Sequence, residues 1–315
     1  MKRLLLSVFI LICFTLIGIY LFIPADIKFS KLVFIKTKLP IASRALMDKN
    51  KWLKWSSPVS VSTEHTKPGK ITFRFKNFYY TIENVIMNAA QVSISSNQKS
   101  INSFMRLISI NEDSMAVEWT SEIDAGLNPI SRVKSYTEAK EIQSDMGEIL
   151  LNFKTFLEKK ENAYGFNVRQ QQVVDTLLIS TKYISDTFPS TAEIYSVINN
   201  LQKYISNQDA RETNPPMLNI TKDSNTYRSM VAIPVNKIIP EKGNYIFKRM
   251  IPGKILVAEI KGGAYTSRQA LKQLDLYIDD NHLSSPAIPF ESLITNRSLE
   301  PDTTKWITKI YYPIY

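Results

Sequence analysis

The sequence predicts an α+β protein in three parts: an N-terminal transmembrane helix, a helix-grip antiparallel sheet with one long C-terminal helix, and a pseudo-twofold pair of strand–helix–strand–strand units. Three observations carry this expectation. Leu4 to Ile23 is a run of twenty residues without a charge. Short β-branched and aromatic segments fill residues 30 to 122 and then give way to a helical period. Finally, the C-terminal part states one pattern twice, over residues 176–235 and 254–315. The expected boundaries are 1–26 for the anchor, 27–162 for the helix-grip domain and 165–315 for the repeated domain.

The first element follows from length. A helix of about twenty residues rising ~1.5 Å each crosses a ~30 Å hydrocarbon core. The run exceeds the usual core of a cleaved signal peptide, and Phe22-Ile23-Pro24-Ala25-Asp26 after it offers no Ala-x-Ala site. An uncleaved anchor is therefore expected. Lys2 and Arg3 favour a cytoplasmic N-terminus, while Lys28, Lys31, Lys36 and Lys38 pull the other way. The soluble part is expected outside the cytoplasm.

Six strand-like segments follow: KLVFIKT, KITFRFK, YYTIENVIM, QVSISS, FMRLISI and SMAVEWTSEI. Between the first two, Leu46 to Trp55 reads as a short helix carrying two tryptophans. From Tyr136 to about Asn162 the apolar residues Ile142, Met146, Ile149, Leu150, Phe153, Phe156 and Leu157 recur at helical spacing. The early strand with PIASRALMDKNKWLKW, and GLNPISR leading into DMGEILLNFKTFLE, resemble the SRPBCC (START-like, polyketide-cyclase-like) superfamily. The resemblance covers about 125 residues. It implies an apolar cavity between sheet and long helix, with no catalytic signature.

The repeat rests on punctuation rather than identity. LQKYI at Leu201–Ile205 matches LDLYI at Leu274–Ile278, and each Tyr precedes a proline by twelve residues, Pro216 and Pro289. Each copy closes on a strand ending Pro234-Val235 or Pro313-Ile314, with Tyr227 or Trp306 seven residues before the proline. Residues 163–175 and 236–243 read as connectors, and Thr266 or Ser267 as the cap of the second helix. Gly263-Ala264-Tyr265 after the strand, and the ending EPDTTKWITKIYYPI, resemble the GyrI-like small-molecule-binding domain, the effector-binding domain of AraC-type activators. That resemblance spans residues 170 to 315 and implies a ligand held in the groove between the two units.

One departure shapes the expected ligand. The family carries a glutamate before Ile-Tyr on its last strand, where this chain has Lys309, and the pseudo-symmetric position of the first copy is Met230. A carboxylate there would favour cationic ligands, whereas a lysine favours neutral or anionic, partly aromatic ones. Period two puts Lys309 and Tyr311 on one strand face. The expected ligand-binding set is Tyr227, Met230, Glu259, Tyr265, Trp306, Lys309 and Tyr311.

Composition narrows the alternatives. The chain has 315 residues, 44% hydrophobic and 11% aromatic, enough for two cores. Its net charge of +10 is scattered without a run of five or more like charges, and no helix-turn-helix precedes the repeats, so no nucleic-acid partner is expected. Cys13 is the single cysteine and excludes an intrachain disulfide. His65 and His282 stand far apart in sequence, and Asp279-Asp280-Asn281-His282 reads as a solvated helix end rather than a metal corner. No nucleophile elbow, phosphate loop or Cys-x-x-Cys occurs, so no catalytic residue, cofactor or metal is expected. The expected function is a membrane-anchored small-molecule-binding protein that senses, sequesters or presents a hydrophobic or anionic ligand. The alternatives are a hydrolase or cyclase with Glu259 as its acid, or a peptide- or protein-binding module at the membrane.

Overall fold

A computed structural model of the protein describes residues 2–56, 70–96, 99–174 and 176–315. The chain divides into two compact units, Met1–Lys159 and Lys160–Tyr315. His65 lies outside the described residues.

The first unit begins with α1 (Lys2–Phe22). Over Leu4–Phe22 its mean hydropathy is 2.8, long and apolar enough to cross a membrane by length and composition. Its last turn is tied down: the Tyr20 hydroxyl donates to the Leu127 carbonyl at 2.5 Å, and the Arg132 guanidinium sits 4.6 Å over the Tyr20 ring while donating to the Ile23 carbonyl. Strands β1 (Asp26–Ile35), β2 (Ile71–Phe75), β3 (Phe78–Ile86), β4 (Ala89–Ser96), β5 (Lys99–Asn111) and β6 (Ser114–Asp124) form one antiparallel sheet in the order β1-β6-β5-β4-β3-β2. Helices α2 (Leu39–Met47) and α4 (Pro129–Leu157) pack on it, and α3 (Lys49–Trp55) packs against both of them.

Helix α4 starts earlier than the apolar stripe suggests. Pro129 occupies its first turn and the Asn128 side chain accepts from the Ile130 and Ser131 N–H groups, a start signal independent of hydrophobic periodicity. It also stops short of Asn162. The chain breaks after Leu157, and α5 (Lys160–Tyr164) belongs to the second unit, where the Tyr164 hydroxyl donates to Asp280 at 2.8 Å. Rings pack much of the space between sheet and helix, although a hollow of about 1010 Å³ stays open where Phe29, Ile101 and Ile123 meet Glu138 and Gln143 of α4. Trp52 packs on Trp55 at 4.4 Å, Trp55 on Phe153 at 4.3 Å and Tyr80 on Trp119 at 5.9 Å, all buried.

The second unit holds β7 (Val168–Gln172), β8 (Leu177–Ser185), α6 (Thr191–Ser206), β9 (Met217–Asp223), β10 (Thr226–Pro234), β11 (Ile246–Arg249), β12 (Lys254–Lys261), α7 (Ala264–Asp280), β13 (Phe290–Leu293) and β14 (Ile307–Ile314). Its sheet order is β11-β8-β10-β9-β13-β14-β12-β7. From the centre outward, each half runs through the second, third and first strands of one repeat. The edge strand of each half is the strand that precedes the other repeat in sequence. Thus β7 pairs with β12, and β11 pairs with β8. These edge strands fall in or near stretches that the sequence presents as connectors, because VRQQQ and IFKR are short and lack a clear apolar alternation.

Both helices lie on one face of this sheet. Helix α6 buries Ile194, Tyr195, Ile198, Leu201 and Ile205 against Ile179, Leu218, Val231 and Ile233. Helix α7 buries Ala270, Leu274 and Ile278 against Leu256, Ala258, Ile260 and Ile310. The halves meet at a thin seam, where β13 pairs with β9 only at Glu291↔Leu218 and Ser292↔Met217. Helix α7 is not capped by Thr266 or Ser267. It begins at a Gly263 N-cap without a side-chain bond, which carries Ser267 into the buried helix interior. Gly262 (φ 137°) makes that turn, and a Cβ there would lie 2.5 Å from the Thr266 Oγ1. At the other end Asp279 and His282 are exposed, as the sequence suggests, but Asp280 is 8% exposed and held by Tyr164.

Candidate functional site

Two hollows flank the seam of the second unit's sheet. The first, of about 100 Å³, lies between the helices on the helix-bearing face. Its outer side chains are Phe188, just before α6, and Arg268 on α7, whose guanidinium stands 5.2 Å over the Phe188 ring. Deeper inside, Arg297 lies 4.9 Å over Trp306 and donates to Glu291 at 3.0 Å and to the Thr308 hydroxyl at 2.8 Å. The side chains of Arg297 and Glu291 are 8% and 16% exposed.

Burying this pair leaves the hollow's carboxylate neutralised, because the two charges sit at contact in a water-poor setting. The Arg297 Nε is buried and has no hydrogen-bond partner among the described residues. Tyr195 fixes the loop from below: its hydroxyl accepts from the Arg297 N–H at 2.8 Å and donates to the Thr295 carbonyl at 3.2 Å. Burial pushes the Tyr195 pKa up, which keeps that hydroxyl protonated. The result is a small aromatic slot with one further cation, Arg268, at its outer side. It has the ingredients to hold a planar neutral or anionic group.

The second hollow, of about 620 Å³, lies on the helix-free face. Strand alternation supplies its floor. Leu178, Met217, Met230, Ala232 and Phe290 point away from the helices, while their neighbours Ile179, Leu218, Val231 and Ile233 point towards them. The segments 248–254 and 286–288 complete its walls.

The structure does not gather the seven sequence-predicted residues in one groove. Met230 lines the helix-free hollow. Trp306 lines the slot between the helices, its Nε1–H donating to the Glu300 carbonyl at 2.8 Å. Tyr227, three residues from Met230 on β10, therefore falls on the other face, edge-on to Phe188 at 5.6 Å. Lys309, Tyr311 and Glu259 share the helix-free face outside the hollow's lining. Lys309 and Glu259 are register partners on β14 and β12, with Nζ and Oε2 3.8 Å apart, and Tyr311 stacks on Phe290 at 5.1 Å. Tyr265 is 67% exposed on the first turn of α7, its hydroxyl accepting from Gln269. Pseudo-symmetry placed these residues together, but alternation along each strand separates them.

Sequence reasoning missed Phe188, Tyr195, Arg268, Glu291 and Arg297. Nothing local marks Glu291 and Arg297 as partners, since one is on a four-residue strand and the other in the loop after it. The helix-free hollow had a usable signal, because three of the nine methionines, Met217, Met230 and Met250, line it. Among the described residues no group of His, Cys, Asp or Glu could hold a metal ion.

The molecule is a mixed α+β protein with antiparallel sheets and one apolar N-terminal helix. No protein-family model matches the chain, and no curated protein matches it. Among solved structures it is similar to the EcmrR C-terminal domain, at 19% identity and a TM-score of 0.42, over 48% of this chain and 98% of that one. It is also similar to SAV2435 bound to tetraphenylphosphonium, at 13% identity and a TM-score of 0.32, over 47% of this chain and 94% of that one. A third likeness is to the Aha1 dimer from Colwellia psychrerythraea, at 16% identity and a TM-score of 0.30, over 42% of this chain and 96% of that one. Likenesses of this size transfer neither ligand nor activity.

Proposed function

We propose that this is a membrane-anchored small-molecule-binding protein. In this reading α1 is an uncleaved anchor and the remainder lies outside the cytoplasm, as an SRPBCC-like unit followed by a GyrI-like unit. The ligand site is the slot between α6 and α7, and the ligand is a small planar group, neutral or anionic. The observation that carries this is the state of the slot's charges. Its one lining carboxylate, Glu291, is bound by Arg297, which leaves Arg268 as the unbalanced charge. A cation entering there would meet a net positive wall at short range.

Size sets a second limit. A cavity of about 150 Å³ takes one benzene ring, so a slot of about 100 Å³ takes at most one ring, and less if rigid. A larger ligand requires the Phe188–Arg268 pair to swing outward. Glu259 does not support the hydrolytic alternative: its side chain is 62% exposed, pairs with Lys309 and lies on the opposite face from Trp306.

The test uses the full chain in phosphatidylcholine nanodiscs and saturation-transfer NMR with benzoate and benzylamine. Benzoate is expected to show transfer and benzylamine none, with the preference reversed in Arg268→Glu. Stronger transfer to benzylamine in the unaltered chain, or an Arg268→Glu chain with unchanged preference, defeats the assignment.

A further inference from the structure

We propose that the hollow on the helix-free face is a second, separate binding site, which takes a single-chain amphiphile with an anionic head. Its floor is apolar and already assembled. Leu178, Met217 and Ala232 form a small buried cluster, with Met250 and Phe290 packed against it. At about 620 Å³ it falls within the range of small-molecule sites, roughly 300–1,000 Å³. Three methionines suit a flexible chain better than a rigid ring system, because the unbranched thioether adapts to its neighbour's shape.

Among the described residues, two apolar side chains of the walls stand uncovered. Ile251 is 84% exposed and Ile288 51% exposed, both beside the apolar floor. Side chains of this kind in one concave patch are the mark of an occupied site rather than of a solvated face. An acyl chain along the floor would remove them from water.

The rim sets the charge of the head. Lys248, Arg249 and Lys254 line the hollow, and among the described residues its lining side chains include no aspartate or glutamate. Among the described residues, none of the three is in an ion pair. The Lys248 ammonium instead lies 3.3 Å from the Met230 sulfur, laid over the apolar lining. A carboxylate or phosphate head would give these cations a counter-charge, whereas an ammonium head would face three like charges.

The full chain in phosphatidylcholine nanodiscs, carrying [13C]methyl-methionine, supplies the reporters. Octanoate, octylammonium and octanol are titrated while the methyl signals of Met217, Met230 and Met250 are followed, each assigned by its leucine variant. Octanoate is expected to shift these signals saturably, octylammonium to leave them in place, and octanol to bind more weakly than octanoate. The double variant K248E/K254E should raise the octanoate Kd by about tenfold and admit octylammonium. Met230→Trp, which sets an indole into the apolar floor, should weaken the response while the methionine signals outside the hollow keep their positions. Arg268→Glu should change nothing, because the slot between the helices lies on the other face, and this separates failure here from failure of the proposed function. Replacing part of the bilayer with phosphatidylglycerol distinguishes the source: shifts without octanoate identify a bilayer lipid, and their absence identifies a free amphiphile. No methyl response to octanoate, an equal response to octylammonium, or indifference to K248E/K254E overturns the proposal.

Discussion

The two units solve the same packing problem differently. Each is an antiparallel sheet with helices on one face. In the first, a single helix of 29 residues lies along a six-stranded sheet, and two short helices, the second carrying Trp52 and Trp55, close the remainder. In the second, two helices of 16 and 17 residues each cover half of an eight-stranded sheet. Two helices side by side leave a gap, and the gap lies over the seam where β9 and β13 share two register pairs. The same layer arrangement thus yields a ring-packed core with one open, largely polar-rimmed hollow beside α4 in the first unit, and in the second a hollow on each face of the seam. In the second unit the divided cover leaves the slot between α6 and α7.

The largest expected effect tests that contrast. Trp119 is fully buried, and its Nε1–H donates to the Ser103 hydroxyl at 2.9 Å. Trp119→Ala should destabilise the first unit by about 3–5 kcal/mol, the cost of an unfilled cavity in a tight core. Met217→Ala in the second unit should cost about 1 kcal/mol, because its side chain already borders empty space and leaves few contacts to lose. Urea titrations of the full chain, read by far-ultraviolet circular dichroism, measure both. Equal costs would show that the second unit's floor is packed as tightly as the first unit's core.

Acid should separate the units by sign. Asp145 is 3% exposed in the first core, with the Lys76 ammonium at 3.1 Å and the Tyr80 hydroxyl at 3.4 Å. Burial raises its pKa, and the Lys76 contact offsets only part of that. The folded form then holds the proton at a pH where the unfolded chain has lost it. First-unit stability therefore declines as pH climbs from the ordinary carboxylate range, about 4, through the raised value. Glu193 in the second unit is the reverse case. The Ser190 hydroxyl, the Tyr183 hydroxyl and the Ser190 N–H hold its pKa down at about 2. Its contribution is complete above the ordinary glutamate value and is lost as pH falls towards 2. Thermal melts between acid and neutral pH should show the first slope vanish in Asp145→Asn and the second in Glu193→Gln. Two slopes of the same sign in the unaltered chain would refute the comparison.

Much of this architecture was legible because local signals and burial agree. The strands through Tyr80, Val117 and Ile310 alternate, the stripe from Ile142 to Leu157 repeats at helical spacing, and the repeat is marked by Pro216 and Pro289. What stayed hidden depends on register and on tertiary neighbours. Tyr227 and Met230 look like one site until period two puts them on opposite faces. Lys309 looks like an unbalanced charge until the β12–β14 register sets Glu259 beside it. Arg297 reads as a loop cation, and only the seam shows that it neutralises Glu291. Ser267 has the chemistry of a cap, but the Gly262-Gly263 turn starts the helix before it.

The smallest effects come from comparing the two helix starts within the second unit. Helix α6 opens with a capping box, in which Ser190 and Glu193 satisfy each other's backbone N–H groups. Helix α7 opens at Gly263 with no side-chain cap. Ser190→Ala should therefore cost about 1 kcal/mol and raise amide exchange in the first turn of α6 alone. Supplying the missing cap by Gly263→Ser should return no more than a few tenths of a kcal/mol, since glycine is itself a tolerated N-cap. Even that gain is opposed, because a Cβ at Gly263 would stand 3.3 Å from the Thr303 Cβ. Hydrogen exchange on the two variants reads both first turns in one experiment. If Gly263→Ser protects α7 as strongly as Ser190→Ala exposes α6, the open start of α7 is an accident of residue choice. If it does not, Thr303 is what keeps glycine at that position, and the bare helix start is enforced by packing.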